Sequence, residues 1–215
     1  MPLLCLSIPA LPLGQVHQLA EKSDMAEIRL DLLRPAANEV QQLFAVHGKK
    51  MIATCRPGQY TEPERAELLK TAIDAGCGYV DLEIDAAVFF LDYLIPYAKA
   101  KGCKLILSYH NYEETPDRES LELTIIEAMA CGADIVKIAT QVNAPQDMAR
   151  LLALYAHHQN IIAFGMGEKA IISRPASLFL GAPFTYVSPD GEEATAPGQF
   201  SESEMRKLLR LMLPL

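Results

Sequence analysis

Ala75-Gly76-Cys77-Gly78-Tyr79-Val80-Asp81 holds a helix end, a glycine stop and the start of an apolar strand. The same joint returns as Ala100-Lys101-Gly102-Cys103-Lys104-Leu105-Ile106 and as Ala130-Cys131-Gly132-Ala133-Asp134-Ile135-Val136. Glycine at a helix C-terminus followed by a strand is the expected α-to-β connection. Outward from these joints, short apolar runs bounded by turn residues recur at Leu3 to Ile8, Met25 to Leu30, Met51 to Cys55, Tyr79 to Ile84, Lys104 to Tyr109, Asp134 to Ile138, Ile161 to Gly165 and Phe184 to Val187. These are eight candidate strands whose starts lie 22 to 30 residues apart. Helical spacing fills the intervals, as in Pro63 to Ala75, Ser120 to Ala130 and the closing stretch Ser201 to Leu213. Regular βα alternation implies a parallel sheet, and eight units close a barrel, so the expected fold is α/β: a (β/α)8 TIM barrel forming a single domain over residues 1–215. An open doubly wound sheet is the alternative, but no G-x-G-x-x-G turn follows the first strand to support it.

Composition bounds the function. Of the 215 residues, 50% are apolar and 21% charged, which fits a packed core rather than a disordered or membrane chain. The net charge of −8 argues against nucleic-acid or membrane-surface partners, so an anionic ligand would have to be bound by local arginines. Five cysteines without a C-x-x-C pair read as reduced thiols of a cytoplasmic protein. The first residues lack the basic and apolar regions of a signal peptide, and no run reaches the ~20 apolar residues of a spanning helix.

In a barrel, chemistry belongs at the C-terminal strand ends, so polar residues inside apolar runs are informative. Period two puts Glu27, Arg29 and Asp31 on one face, and Asp81, Glu83 and Asp85 repeat that spacing. Each set is either a buried ion-pair network or part of a ligand site. His110 ends the fifth run, whereas His17, His47, His157 and His158 fall where solvation is expected. Lys137 interrupts an otherwise apolar strand, where lost hydration drives an amine toward its neutral, nucleophilic form; the alternative is a lysine paired with a neighbouring carboxylate. A histidine one strand away favours the first reading, because imine chemistry needs a proton shuttle. Arg174 follows the seventh strand, where barrels bind anions, or it is a surface arginine capping the next helix.

In order along almost the whole chain, Glu27-Ile28-Arg29-Leu30-Asp31, Thr54-Cys55-Arg56, Asp81-Leu82-Glu83, Ser108-Tyr109-His110 with Thr115-Pro116, Val136-Lys137, Met166-Gly167 with Ser173-Arg174, and Ala196-Pro197-Gly198-Gln199 resemble the type I 3-dehydroquinate dehydratases. The resemblance implies the eightfold barrel and a small-molecule substrate, 3-dehydroquinate of the shikimate pathway. It implies an imine between Lys137 and the substrate ketone. His110 would move the C2 proton and protonate the departing C1 hydroxyl, with a pKa near working pH. Arg174 and Gln199 would hold the substrate carboxylate, with Glu27, Arg29 and Arg56 at its hydroxyls and Thr195 where some members have serine. No metal or organic cofactor is implied. A homodimer is known in the family, though these residues do not themselves imply one, and without a dinucleotide fingerprint the chain should carry only the dehydratase step. Two departures shape expectation. The loop Arg56-Pro57-Gly58-Gln59-Tyr60 is short and lacks the glutamate that orients the histidine in many members, leaving Glu62 or a strand-four carboxylate as the substitute. The chain also starts directly in strand one, so the barrel is expected without an N-terminal closing hairpin.

Two other readings compete. In a metal-dependent barrel lyase or isomerase, Glu27, Asp31, Asp81 and Glu83 would hold Mg²⁺ and Lys137 would act as base. A non-catalytic barrel binding a polyol carboxylate would need the arginines but not Lys137 and His110. The Pro and Gly content of Ala182 to Gln199 suggests a lid.

Overall fold

The computed structural model describes residues 2–212, so Leu213, the last residue of the expected terminal helix, lies outside the described residues. The strands are β1 (Leu3–Ile8), β2 (Met25–Arg29), β3 (Met51–Thr54), β4 (Tyr79–Glu83), β5 (Lys104–Asn111), β6 (Ile135–Gln141), β7 (Ile161–Met166) and β8 (Phe184–Val187). The helices are α1 (Leu13–Lys22), α2 (Leu30–Leu33), α3 (Ala37–His47), α4 (Glu62–Asp74), α5 (Val88–Ala100), α6 (Arg118–Ala130), α7 (Pro145–Ala153), α8 (Ser173–Phe179) and α9 (Glu202–Met212). Gly76, Gly102 and Gly132 take φ of 92°, 70° and 89°, the left-handed stop expected at the three joints.

All pairings are parallel, in the order β7-β6-β5-β4-β3-β2-β1-β8. Sequential neighbours with β8 returning beside β1 is the order of a (β/α)8 barrel and rules out the doubly wound alternative. β7 and β8 are the two ends of the hydrogen-bonded ladder. Helix α8 packs on both strands, and the rings of Phe164 and Tyr186 meet edge-to-face at 6.3 Å between them.

Strand period two separates two buried apolar clusters. Outward residues such as Leu6, Ile28, Val80, Leu107 and Val136 pack under the helices. Inward residues Met25, Ile52, Ile106, Ile135 and Phe184 fill the barrel interior with Cys5. Among the described residues, no helix is long and apolar enough to cross a membrane.

Three of the boundaries that differ from expectation bear on the site. β2 stops at Arg29 and turns directly into α2, which removes Asp31 from the strand face. β5 continues to Asn111, so His110 lies within the strand. The expected lid segment contains β8, leaving residues 188–201 as the loop, closed at its base where Ser188 N–H donates to Phe200 O at 2.9 Å.

Candidate active site

Above the apolar layer the inward residues turn polar: Glu27 on β2, Thr54 on β3, Asp81 on β4, Ser108 on β5 and Lys137 on β6. Asp81 is their hub, accepting hydrogen bonds from Arg56 (2.8 Å), Ser108 Oγ (2.6 Å) and Lys137 Nζ (3.2 Å). Burial alone would raise the Asp81 carboxyl, but Arg56 and Lys137 outweigh it and hold it well below the usual carboxylate range. Glu27 accepts from Ser7 Oγ at 2.5 Å and Thr54 Oγ1 at 3.0 Å, with one carboxylate oxygen 3.8 Å from Lys137 Nζ. Lys137 is therefore buried and paired with carboxylates of neighbouring strands, the second of the two readings of its sequence position.

Arg56 also donates to Ser108 Oγ at 3.0 Å and pairs with Glu83 at 2.9 Å. Arg29 forks onto Asp31, which lies beyond the strand end, at 3.0 and 2.6 Å, so the expected three-residue strand face is split. His110 lies above this network, its ring stacked on Tyr112 with centroids 6.1 Å apart. Burial, then the cations of Arg56 and Lys137, push its imidazole down to about 2, which keeps it neutral while those cations stand beside it.

Arg174 is not a surface residue: it is 1% exposed, with its guanidinium 4.1 Å from the centre of the Phe164 ring. Ser173 anchors this end of α8, its Oγ accepting from Gly165 N–H at 2.9 Å and donating to Ala170 O at 2.6 Å. Nε and Nη2 of Arg174 are buried without a protein partner, and burial lowers the guanidinium to about 10. Across the mouth, Thr195 Oγ1 lies 2.7 Å from Ser7 Oγ and 3.1 Å from Gln199 Oε1. Gly198, at φ 72°, allows this approach, because a side chain there would crowd Gly167 O at 3.1 Å. Glu27, Arg29, Arg56, His110, Lys137, Arg174, Thr195 and Gln199 all line one cleft, whose enclosed volume is about 120 Å³.

The family model for type I 3-dehydroquinase matches residues 10–214. The chain belongs to the type I 3-dehydroquinase family. It is 38% identical over 194 residues to the 3-dehydroquinate dehydratase of Desulfotalea psychrophila, covering 86% of this chain and 85% of that protein. Identity to the 3-dehydroquinate dehydratase of Pyrococcus abyssi is 34% over 199 residues, covering 90% and 89%. The crystal structure of 3-dehydroquinate dehydratase from Geobacillus kaustophilus superposes with a TM-score of 0.85 at 22% identity, covering 99% and 91% of the two chains, and shares the fold.

In this type I dehydroquinase-family chain none of the expected substitute partners hydrogen-bonds His110. Asp81 serves Arg56, Ser108 and Lys137, while Glu83 is held between Arg56 and Arg65. Glu62 has one carboxylate oxygen buried without a partner and does not line the cleft. Asp81 reaches His110 only through its field. The four carboxylates proposed to hold Mg²⁺ are likewise committed: Asp31 to Arg29, Glu27 to Ser7 and Thr54, and Asp81 and Glu83 to the cations named above. A divalent ion would have to displace every one of them. Asp85 is exposed beyond the end of β4 and does not join the network.

Sequence reading missed Ser7, Arg65 and Tyr186. Ser7 is the polar residue two places after Cys5 on the inward face of β1, a signal that was available. Arg65 is 1% exposed on the same α4 stripe as Leu69 and Ala72, donating to Glu83 at 2.6 Å and to Cys55 O at 2.9 Å.

Proposed function

We propose that the protein dehydrates 3-dehydroquinate to 3-dehydroshikimate through a Schiff base on Lys137, with His110 as general base and acid. The observation that carries this reading is one cleft holding a buried amine, a neutral imidazole and a buried arginine with unpartnered donors. Family membership supplies the substrate class, and the acidic composition and free thiols fit a cytoplasmic enzyme of aromatic amino acid biosynthesis.

The substrate carboxylate completes Arg174, with Gln199 from the loop above it, while Glu27, Arg29 and Arg56 face the hydroxyls. As the C3 carbonyl arrives, His110 takes a proton from the Lys137 ammonium. The neutral Nζ attacks, forming the C–N bond and a carbinolamine hydroxyl that departs as water with a proton delivered by His110. A protonated imine remains. Neutral His110 then takes the C2 proton, and the electron pair flows into the C=N bond to give an enamine. This step removes the positive charge beside His110 at the moment the imidazole acquires one, so a cation that held its pKa down is gone when the proton must be kept. The enamine expels the C1 hydroxyl, which takes the proton from His110 and leaves as water. Hydrolysis of the product imine frees Lys137.

Borohydride added during turnover of 3-dehydroquinate should fix the reduced substrate mass on Lys137, and Lys137→Ala should abolish the adduct. An unmodified wild-type protein would overturn the imine mechanism.

A further inference from the structure

We infer that Tyr186 is a further catalytic residue, its ring face holding the positive charge that Lys137 carries as an ammonium and then as an iminium. The inference rests on the imine reading above and extends it to a residue whose sequence setting, Phe184 to Val187, looks like plain core.

Lys137 Nζ lies 4.3 Å from the centre of the Tyr186 ring, while Asp81 approaches the same nitrogen at 3.2 Å. The ring is 3% exposed and fixed by edge-to-face contacts with Phe164 at 6.3 Å and Phe184 at 5.5 Å. Its face cannot swing away from the amine without breaking both. The two neighbours of Nζ differ in chemistry. A carboxylate attracts the cation but is also a base. An aromatic face attracts the cation through its quadrupole and takes no proton from it. Burial pushes the phenol itself well above its ordinary value, so it remains neutral beside the iminium. The hydroxyl is buried and finds no protein partner, so the nitrogen contact belongs to the ring and not to the oxygen.

Charge is conserved through the step. Nζ is cationic as the ammonium, neutral while it attacks, cationic again as the iminium and neutral as the enamine. Holding the ammonium alone would disfavour the neutral amine that attacks, so the ring assists where it holds the iminium against loss of its proton, keeping the form that accepts electrons and that borohydride reduces.

The test separates ring from hydroxyl with Tyr186→Phe and Tyr186→Leu. Borohydride trapping of 3-dehydroquinate on Lys137, followed by mass, should proceed in Tyr186→Phe within about threefold of the wild-type rate. It should fall about 10- to 30-fold in Tyr186→Leu, the range expected for loss of a desolvated cation–π contact. If the wild-type protein is not trapped, the imine reading fails. If wild type is trapped and Tyr186→Leu is trapped as fast, the ring has no role. Loss in Tyr186→Phe equal to that in Tyr186→Leu would assign the effect to the hydroxyl and overturn the inference. Should Tyr186→Leu not fold, phenylalanine carrying one, two or three fluorines at position 186 keeps the shape while weakening the ring face. Trapping should then fall stepwise with fluorination, and a flat series would also overturn the inference.

Discussion

Replacing Arg174 with methionine should make the free protein more stable while removing its hold on substrate. The guanidinium is 1% exposed and two of its nitrogens have no partner, so the folded chain keeps a charge that nothing in it neutralises. Burial lowers the group from 12.5 to about 10, which corresponds to about 3 kcal/mol against the charged form. Methionine keeps the length of the side chain but loses the contact with the Phe164 ring at 4.1 Å, worth about 0.5–2 kcal/mol. The net gain is about 1–2 kcal/mol, or a midpoint about 2–8 °C higher for a chain of this size. Urea and thermal unfolding of the ligand-free proteins measure it. The functional half needs a protein that binds without turnover, so Lys137→Ala and Lys137→Ala/Arg174→Met are compared with and without 3-dehydroquinate. Ligand at about 100 times its Kd stabilises by about 2.7 kcal/mol, and that shift should appear only where Arg174 is present. In the otherwise wild-type enzyme, Arg174→Met should lower kcat/KM by about 10²- to 10³-fold. If Arg174→Met is less stable than wild type, or if the double variant is stabilised as fully by substrate, Arg174 is structural and the anion argument is wrong.

His110→Gln should slow turnover by about 10²- to 10⁴-fold, and it should also flatten the acid side of the stability profile. In the unfolded chain an ordinary histidine takes up a proton below about pH 6.5, whereas partly buried His110 stays neutral to about 2, so wild type loses stability as pH falls through this window. Between pH 6.5 and pH 5 the wild-type loss should exceed that of His110→Gln by about 2 kcal/mol in urea unfolding, and parallel profiles would contradict the buried neutral state. Arg65→Met should cost about 1.5–3 kcal/mol by removing one of the two cations that hold buried Glu83. Arg65→Lys should recover most of that stability but not kcat/KM, because a single ammonium cannot bond both Glu83 and Cys55 O as the fork does; full recovery of both would reduce Arg65 to a structural charge.

The barrel was legible because its strands are buried on both faces and read as apolar runs, against which a lysine at 137 or an arginine at 29 stands out. What failed to show was whatever depends on where a strand stops or on what comes from far along the chain. Period two assigned Asp31 to the face of Glu27, but the turn of helix beginning at Leu30 ended that periodicity and gave Asp31 to Arg29. Arg65 stands on a helix, where an arginine ordinarily means solvent, and only the packing of α4 on the sheet brings it to Glu83 on β4, the strand that follows. The pKa of His110 depends on its burial and then on Arg56, just beyond β3, and Lys137 on β6, so an expectation of ordinary titration could not survive their approach.

The same approach resolves how a chain of net charge −8 can receive an anion. Around the cleft, Arg29, Arg56, Arg65 and Lys137 are matched against Glu27, Asp31, Asp81 and Glu83 at separations of 3.8 Å or less. Arg174 alone among the cations named here has no carboxylate, and it is the one set deepest against an aromatic ring. Surface charge is screened within about 8 Å at physiological salt, so the acidic exterior does little to a ligand once inside. What the ligand meets is a near-balanced network with one positive charge left over, and a carboxylate is the smallest addition that completes it. A neutral polyol of the same shape would leave Arg174 unpaired, which is a physical reason for the site to discriminate by charge before it discriminates by hydroxyl pattern.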